Sequence, residues 1–457
     1  MSQTGPMLEQ IWSGLGGGAD LPGHVREIGE GSLGSVFAVS DFAAASTAAA
    51  GLAVAELIRA QGGPLPDVTV DRRLASMWFS KSIRPAGWSL PPQWDAVAGD
   101  YRARDGWIRL HTNAPHHRAA ALKVLGVAED RAEVGKAVAQ WPAQDLEDAV
   151  VAAGGCAAKM RSLEEWAAHP QGQAVSAEPL MAVTTRSGTR KGWAAAPGRP
   201  LAGIRVLDLT RVLAGPVATR FLAGYGADVL RIDPPGWDEP AVLAEVALGK
   251  RRARLDLHDR RDRELFEDLL APADILVHGY RSDALSALGY DAARLQQLSP
   301  EIIDVALDAY GWTGPWQARR GFDSLVQMST GLAAEGMRVR QAEVPVPLPV
   351  QALDYGTGCL MAAAAVRALT LRLTSGEMSL ARASLARTAA FVAAHRSADL
   401  APLKPESEED LALETEATHW GEAQRLQPPV TVAGCPMRWD LPAGPLGDSP
   451  PRFGTAA

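Results

Sequence analysis

Apolar residues along this chain alternate between short runs and longer, interrupted stretches, and the order is clearest between residues 201 and 310. "IRVLDL", "ADVLRID", "RRARLDL" and "DILVHGY" are β-branched and leucine-rich runs of strand length. Between them lie "TRVLAGPVATRFLAGYG", a loop passing into a helix, and "RDRELFEDLLAPA", a helix. "SPEIIDVALDAYG" supplies a further strand. Strands alternating with helices of this length predict an α/β fold, a doubly wound parallel sheet with helices on both faces. Right-handed crossovers then bring the C-terminal ends of the strands, and the loops after them, to one edge.

The first half has a different rhythm. Residues 41–62 read as one helix and "PDVTVD" as a strand, while "SKSIRPAGWSLPPQW" (80–94) reads as a Pro/Gly/Trp-rich linker. "DGWIRLHTN" followed by helices such as "HHRAAALKVLG" and "DLEDAVVAAGG" predicts a smaller α/β domain over 91–186. A polar linker at 187–200 leads into the large domain at 201–400. Residues 401–457, acidic and then Pro/Gly-rich, are expected to run over its surface. Within this layout one phrase occurs twice. "AVSDFAAASTAAAGLAVAELIRA" (38–60) and "QALDYGTGCLMAAAAVRALTLR" (351–372) each set a single acid, Asp41 or Asp354, at the start of an alanine-rich helix that leads to a glycine turn and a strand.

Composition narrows the class. Of the 457 residues 47% are hydrophobic and 21% charged, the profile of a soluble enzyme, and a net charge of −8 argues against nucleic-acid binding. Cys156, Cys359 and Cys435 are too scattered for a disulfide framework or a zinc site, which points to a reducing cytoplasm. The N-terminus shows no export pattern. The apolar stretch 43–58 is interrupted by Ser46, Thr47 and Glu56, so it reads as a buried helix and not as a membrane span.

Three candidate chemistries follow. "LTRVLAGPVA", followed by Asp233, has one glycine where a pyrophosphate fingerprint needs three, so no nicotinamide is expected. His111, His116 and His117 lack acidic or thiol neighbours at ligand spacing, so no metal is expected and surface or capping roles are. Asp354 is either a helix cap or a reactive carboxylate.

The phrases "LAGIRVLDLTRVLAGPVATRFLAGYGADVLRID", "GKRRARLDL", "ADILVHGYRSDALSALGYDAARL", "SPEIIDVALDAYGWTGPW" and "RGFDSLVQMSTG" follow one another in that order. Together they resemble the class III CoA-transferase family, the group that includes formyl-CoA transferase, carnitine CoA-transferase and α-methylacyl-CoA racemase. "DGWIRL" and "EEWAAHPQG" resemble the family's small domain. That domain ordinarily follows the catalytic Asp, and here it precedes the large domain. The chain therefore resembles a circularly permuted member, with residues 1–90 carrying a second copy of the Asp–helix–strand segment.

The resemblance implies a Rossmann-like sheet, an interlocked-ring homodimer, an acyl-CoA substrate with coenzyme A as the carried group, and a carboxylic acid acceptor. It makes Asp354 the nucleophile. Its carboxylate attacks the acyl-CoA thioester to give a mixed anhydride, and the released thiolate then forms an aspartyl-CoA thioester. Tyr355 and Gly356 would give close backbone approach. Arg211, Val212 and Ala214 in "TRVLAGP", with Leu255, Tyr280, Arg281 and Arg320, are implied coenzyme A contacts. Gly279, Ala287 and Pro234 depart from the family's usual residues, and Arg251 and Arg252 are candidates to compensate. Phe322 stands where the racemase has a histidine, which disfavours two-base proton exchange. Asp41 lacks the "GFDSLVQ" phrase before it and reads as a structural copy.

Overall fold

All five apolar runs of the large domain become neighbours in one sheet of the computed structural model, which describes residues 2–280, 284–397 and 401–454. The strand order is Lys250–Arg254, Asp228–Asp233, Arg205–Leu209, Ile275–His278, Ile303–Asp308, Glu377–Ser384 and Ala182–Ser187. The first six run parallel and the last antiparallel. Ile275–His278 and Ile303–Asp308 are buried along their whole length, as strands covered on both faces must be. The antiparallel edge strand comes from the end of the segment expected to belong wholly to the small domain. The remainder of that segment builds its own three-stranded sheet from Gly99–Arg102, Trp107–Leu110 and Ala157–Lys159, packed under three helices.

The repeated phrase is a repeated structure. Strand Ile303–Asp308, helix Ala352–Thr374, parallel strand Glu377–Ser384 and helix Leu385–Ala393 have counterparts at the N-terminus. These are strand Val25–Ile28, helix Val39–Ala60, parallel strand Val68–Asp71 and helix Arg72–Trp78. Even the helix entries agree: Ala38 has φ −74° and ψ 56°, Gln351 has φ −75° and ψ 60°, and the acid is the third helical residue in both. The two long helices, 22 and 23 residues, pack directly on each other and bury nearly all of their surface. Their uniform alanine content follows, because a helix enclosed on every side has no polar face to present. Both are long and apolar enough to cross a bilayer, and both are enclosed in this fold.

Glycine sets how closely the helices cross. A Cβ at Gly356 would lie 2.1 Å from the Phe42 ring, and one at Gly358 would lie 2.5 Å from the Ala214 carbonyl oxygen. Gly356→Ala is therefore expected to lower stability by about 1–3 kcal/mol through overpacking, measured as a shift in the urea midpoint without a change in slope.

The C-terminal segment does more than cover the large domain. Gly421–Arg425 pairs with Ile83–Pro85, inside the stretch expected to be a plain linker, and Val430–Val432 pairs with Val68–Asp71. Each would otherwise leave an edge of the N-terminal segment with unpaired backbone groups, which is why this tail is ordered and partly buried.

Candidate active site

The C-terminal edge of the large sheet opens into a cavity of about 380 Å³, lined from both domains. The loop after strand Arg205–Leu209 contributes Arg211 to Gly215, and the loop after Asp228–Asp233 contributes Trp237. Gly279 and Tyr280 follow strand Ile275–His278, and Leu307 to Ala309 end the next strand. Arg319 to Phe322, Asp354 and Leu385 complete the large-domain wall, while His116 and His117 come from the small domain.

Asp354 is buried, and among the described residues no cation or hydrogen-bond donor engages its carboxylate. Its own amide donates to Asp323 Oδ2 at 2.9 Å. Burial, and then the neighbouring Asp323, hold its pKa well above the usual carboxylate range. Asp323 is itself pushed up to about 6 by burial, with the Gln327 side chain and the Asp354 and Leu353 amides pulling the other way. Once it has lost its proton, a carboxylate this basic and left without partners is a stronger nucleophile than a solvated one.

Its twin shows the contrary design. Asp41 accepts a two-pronged ion pair from Arg72, Nη1 to Oδ1 at 3.0 Å and Nη2 to Oδ2 at 2.9 Å, with further bonds from Ser2 Oγ and the Gln3 amide. Burial by itself would raise the Asp41 pKa, but these bonds and the Arg72 charge bring it below the ordinary value. Asp41 is a sealed structural ion pair.

Of the residues expected at coenzyme A, Arg211, Val212, Ala214, Tyr280 and Arg320 line the cavity with Asp354. The Arg211 guanidinium lies 4.9 Å from the Trp237 ring centre and 5.4 Å from that of Tyr280, and it meets the Tyr280 hydroxyl at 3.3 Å. Val212 adopts φ 65°, a left-handed conformation unusual for a β-branched residue. Its amide is held there by Glu239 Oε2 at 2.8 Å, and Glu239 in turn is anchored by Arg231. Among the described residues Arg320 donates only one long hydrogen bond, to the Gly154 carbonyl. Arg319 instead pairs with buried Glu147 at 2.6 Å and stacks on Trp316. Among the described residues Arg211 and Arg320 are thus cations at the cavity without carboxylate partners, a setting for an anionic ligand.

Other expected contacts lie elsewhere. Leu255 is buried in the core beneath helix Arg260–Leu270, with Ile232 and Phe266. Tyr355 turns to the opposite side of its helix, where it stacks on Phe79 and donates to the Ser80 carbonyl. Gly356 faces Phe42 on that side too, so its close approach is to the paired helix and not to a ligand. Arg281 lies outside the described residues. Arg252 holds the C-terminal segment through Asp448 and the Pro445 carbonyl, and Arg251 pairs with Asp228. Neither compensating arginine reaches the cavity, because their strand is the sheet edge on which that segment packs.

The histidines also differ from expectation. His111 is buried and stacked on Phe322 with ring centres 3.8 Å apart, and burial lowers its pKa to about 3. His117 borders the cavity with both ring nitrogens unpartnered among the described residues, and burial, then His116 and Arg320, bring it to about 4. Both are neutral at physiological pH. Trp237 and Glu239 were not singled out from the sequence. The one available signal was "PPGWDEP", a turn-rich segment directly after a strand end.

The profile of CoA-transferase family III matches residues 201–453, more than half of the chain. The chain is similar to succinyl-CoA:glutarate CoA-transferase of Mus musculus, 32% identical over 39% of this chain and 44% of that one. It is similar to formyl-CoA:oxalate CoA-transferase of Bradyrhizobium diazoefficiens, 30% identical over 39% of this chain and 44% of that one. The chain thus spans less than half the length of these curated relatives. A crystal structure of a Mycobacterium tuberculosis protein is 29% identical and covers 44% of this chain and 57% of that one, with a TM-score of 0.41.

Proposed function

The chain belongs to CoA-transferase family III, and from that membership we propose that it moves coenzyme A between carboxylic acids, with Asp354 as the carrier. The observation that carries this reading is the contrast between two copies of one motif. Asp41 is neutralised by Arg72, whereas Asp354 opens onto the cavity and, among the described residues, its carboxylate has no ion-pair partner. In the reaction, the Asp354 carboxylate attacks the acyl-CoA carbonyl and expels the CoA thiolate, leaving a mixed anhydride. The thiolate attacks the aspartyl carbonyl and releases the first carboxylate, which leaves coenzyme A as a thioester on Asp354. An acceptor carboxylate then reverses the sequence, so no water is consumed. The positive end of the dipole of helix Ala352–Thr374 supports the charge on each carbonyl oxygen. Arg211 and Arg320 are suited to the phosphates of coenzyme A, and the Trp237 and Tyr280 rings to its apolar and base surfaces.

The direct test is to incubate the protein with succinyl-CoA, quench with hydroxylamine or borohydride, and map the modified peptide by mass spectrometry. Modification at Asp354 is expected. Bound coenzyme A with an unmodified Asp354 would replace this reading with that of a silent binding subunit.

A further inference from the structure

One buried carboxylate ties together two loops of the cavity wall. The loop after strand Arg205–Leu209 carries Arg211 and Val212, and the loop after its neighbour Asp228–Asp233 carries Trp237. Glu239 Oε2 accepts the Val212 amide at 2.8 Å and the Trp237 indole N–H at 3.1 Å. Its Oε1 accepts Arg231 Nη2 at 2.6 Å, and Asp233 holds Arg231 in turn at 2.8 Å. We infer that Glu239 is a positioning residue for acyl-CoA binding: by holding Val212 and Trp237 on one oxygen, it builds the Arg211–Trp237 wall that receives coenzyme A. This rests on the reading that coenzyme A occupies the cavity.

Neither loop keeps this shape unaided. Val212 sits at φ 65°, a region that β-branched side chains avoid, and such a conformation persists only where its surroundings hold it. The bond from the Val212 amide to Glu239 supplies that hold. Trp237 follows Gly236, at φ 76°, in a turn whose Pro234 and Trp237 carbonyls both accept Arg254 Nη1 at 2.9 Å. Arg254 thus fixes the backbone of the turn, and Glu239 fixes the direction of the ring. With both loops held, the Arg211 guanidinium lies 4.9 Å from the centre of the Trp237 ring. Glu239 is not among the described residues that line the cavity, so it acts through the two that it holds.

The place requires a carboxylate. One oxygen faces a guanidinium and the other faces two N–H groups, so both oxygens must accept. A glutamine has one accepting oxygen and one donating nitrogen. Whichever way its amide turns, N–H meets N–H, either at Arg231 or at Val212 and Trp237. Glu239→Gln therefore breaks the hold with almost no change of shape.

The experiment compares wild type, Glu239→Gln and the double variant Glu239→Gln/Val212→Gly by Asp354 labelling at graded succinyl-CoA and by calorimetric titration with coenzyme A. Glu239→Gln should raise the half-saturating succinyl-CoA concentration and the coenzyme A dissociation constant by about 10-fold or more, with the maximal labelling rate within about 3-fold of wild type. Adding Val212→Gly should recover at least about 3-fold of that affinity, because glycine enters the left-handed region without strain. Unchanged affinity beside a lower urea midpoint makes Glu239 merely structural and overturns the inference. So do a fall in maximal rate at unchanged half-saturation and a double variant that recovers nothing. If Glu239→Gln does not fold, hydrogen exchange in the wild type decides. The Val212 amide should exchange slowly before coenzyme A is added and more slowly after it. Free exchange before, or no added protection after, overturns the inference. Wild type that labels at Asp354 while Glu239→Gln binds equally well leaves the carrier reading standing alone. Wild type that binds coenzyme A with this dependence on Glu239 but never labels removes the carrier reading and supports the inference. Wild type that does not bind coenzyme A removes both.

Discussion

Asp354→Asn is expected to lower CoA transfer by roughly 10³-fold or more and at the same time to raise the melting temperature. The loss follows from chemistry, because an amide matches the shape of the carboxylate but cannot attack a thioester. The gain follows from linkage. The folded chain holds the Asp354 proton well above the usual carboxylate range, whereas the unfolded chain releases it above about pH 4. The stability tied to that proton is complete below pH 4 and is lost as pH rises through the folded value. Asn does not titrate, so the Tm difference in favour of the variant should widen with pH. Calorimetry at two pH values beside a transfer assay checks both halves. An active variant, or one less stable than wild type, would remove Asp354 from the chemistry. Opposite movement of activity and stability is what separates a reactive group from a helix cap, whose loss lowers stability.

The other large effect belongs to the silent twin. Arg72→Met should destabilise the fold by about 3–5 kcal/mol, because it leaves Asp41 buried without its cation. The Asp41 pKa in the folded chain is depressed, so the stabilisation it brings is present above about pH 4 and fades as pH falls through that region. The penalty of Arg72→Met should shrink in acid, where a protonated Asp41 no longer needs a cation. Asp41→Asn combined with Arg72→Met should recover much of the loss, since both charges are then gone. Urea titrations of the two single variants and the double variant give the coupling. Asp354 labelling per folded molecule should be unchanged, because Arg72 lies outside the cavity.

The five apolar runs, their parallel order and the alanine-rich helices were all legible in the chain, because each is a local pattern of period and length. So was the duplication of the Asp motif, which the paired N-terminal and large-domain units repeat strand for strand. The resemblance to a CoA-transferase family rests on phrases at loops after strand ends, where the fold gathers its functional groups. Five of the implied coenzyme A residues meet Asp354 in one cavity for that reason.

What was not legible depends on direction and on distant partners. Tyr355 and Gly356 follow Asp354 immediately, yet a helix turns each residue by about 100°, so Tyr355 faces Phe79 and Ser80 and Gly356 faces the paired helix, while Asp354 faces the cavity. Leu255 sits at a strand end but points into the core. The buried histidines depend on Phe322, more than 200 positions from His111. The tail strands depend on partners near residues 68–85. Above all, two acids in the same local phrase differ only in what the fold sets beside them. A motif fixes where a carboxylate stands on its helix. Whether that carboxylate meets Arg72 or an open cavity is a matter of packing, and packing is decided between segments that no local pattern connects.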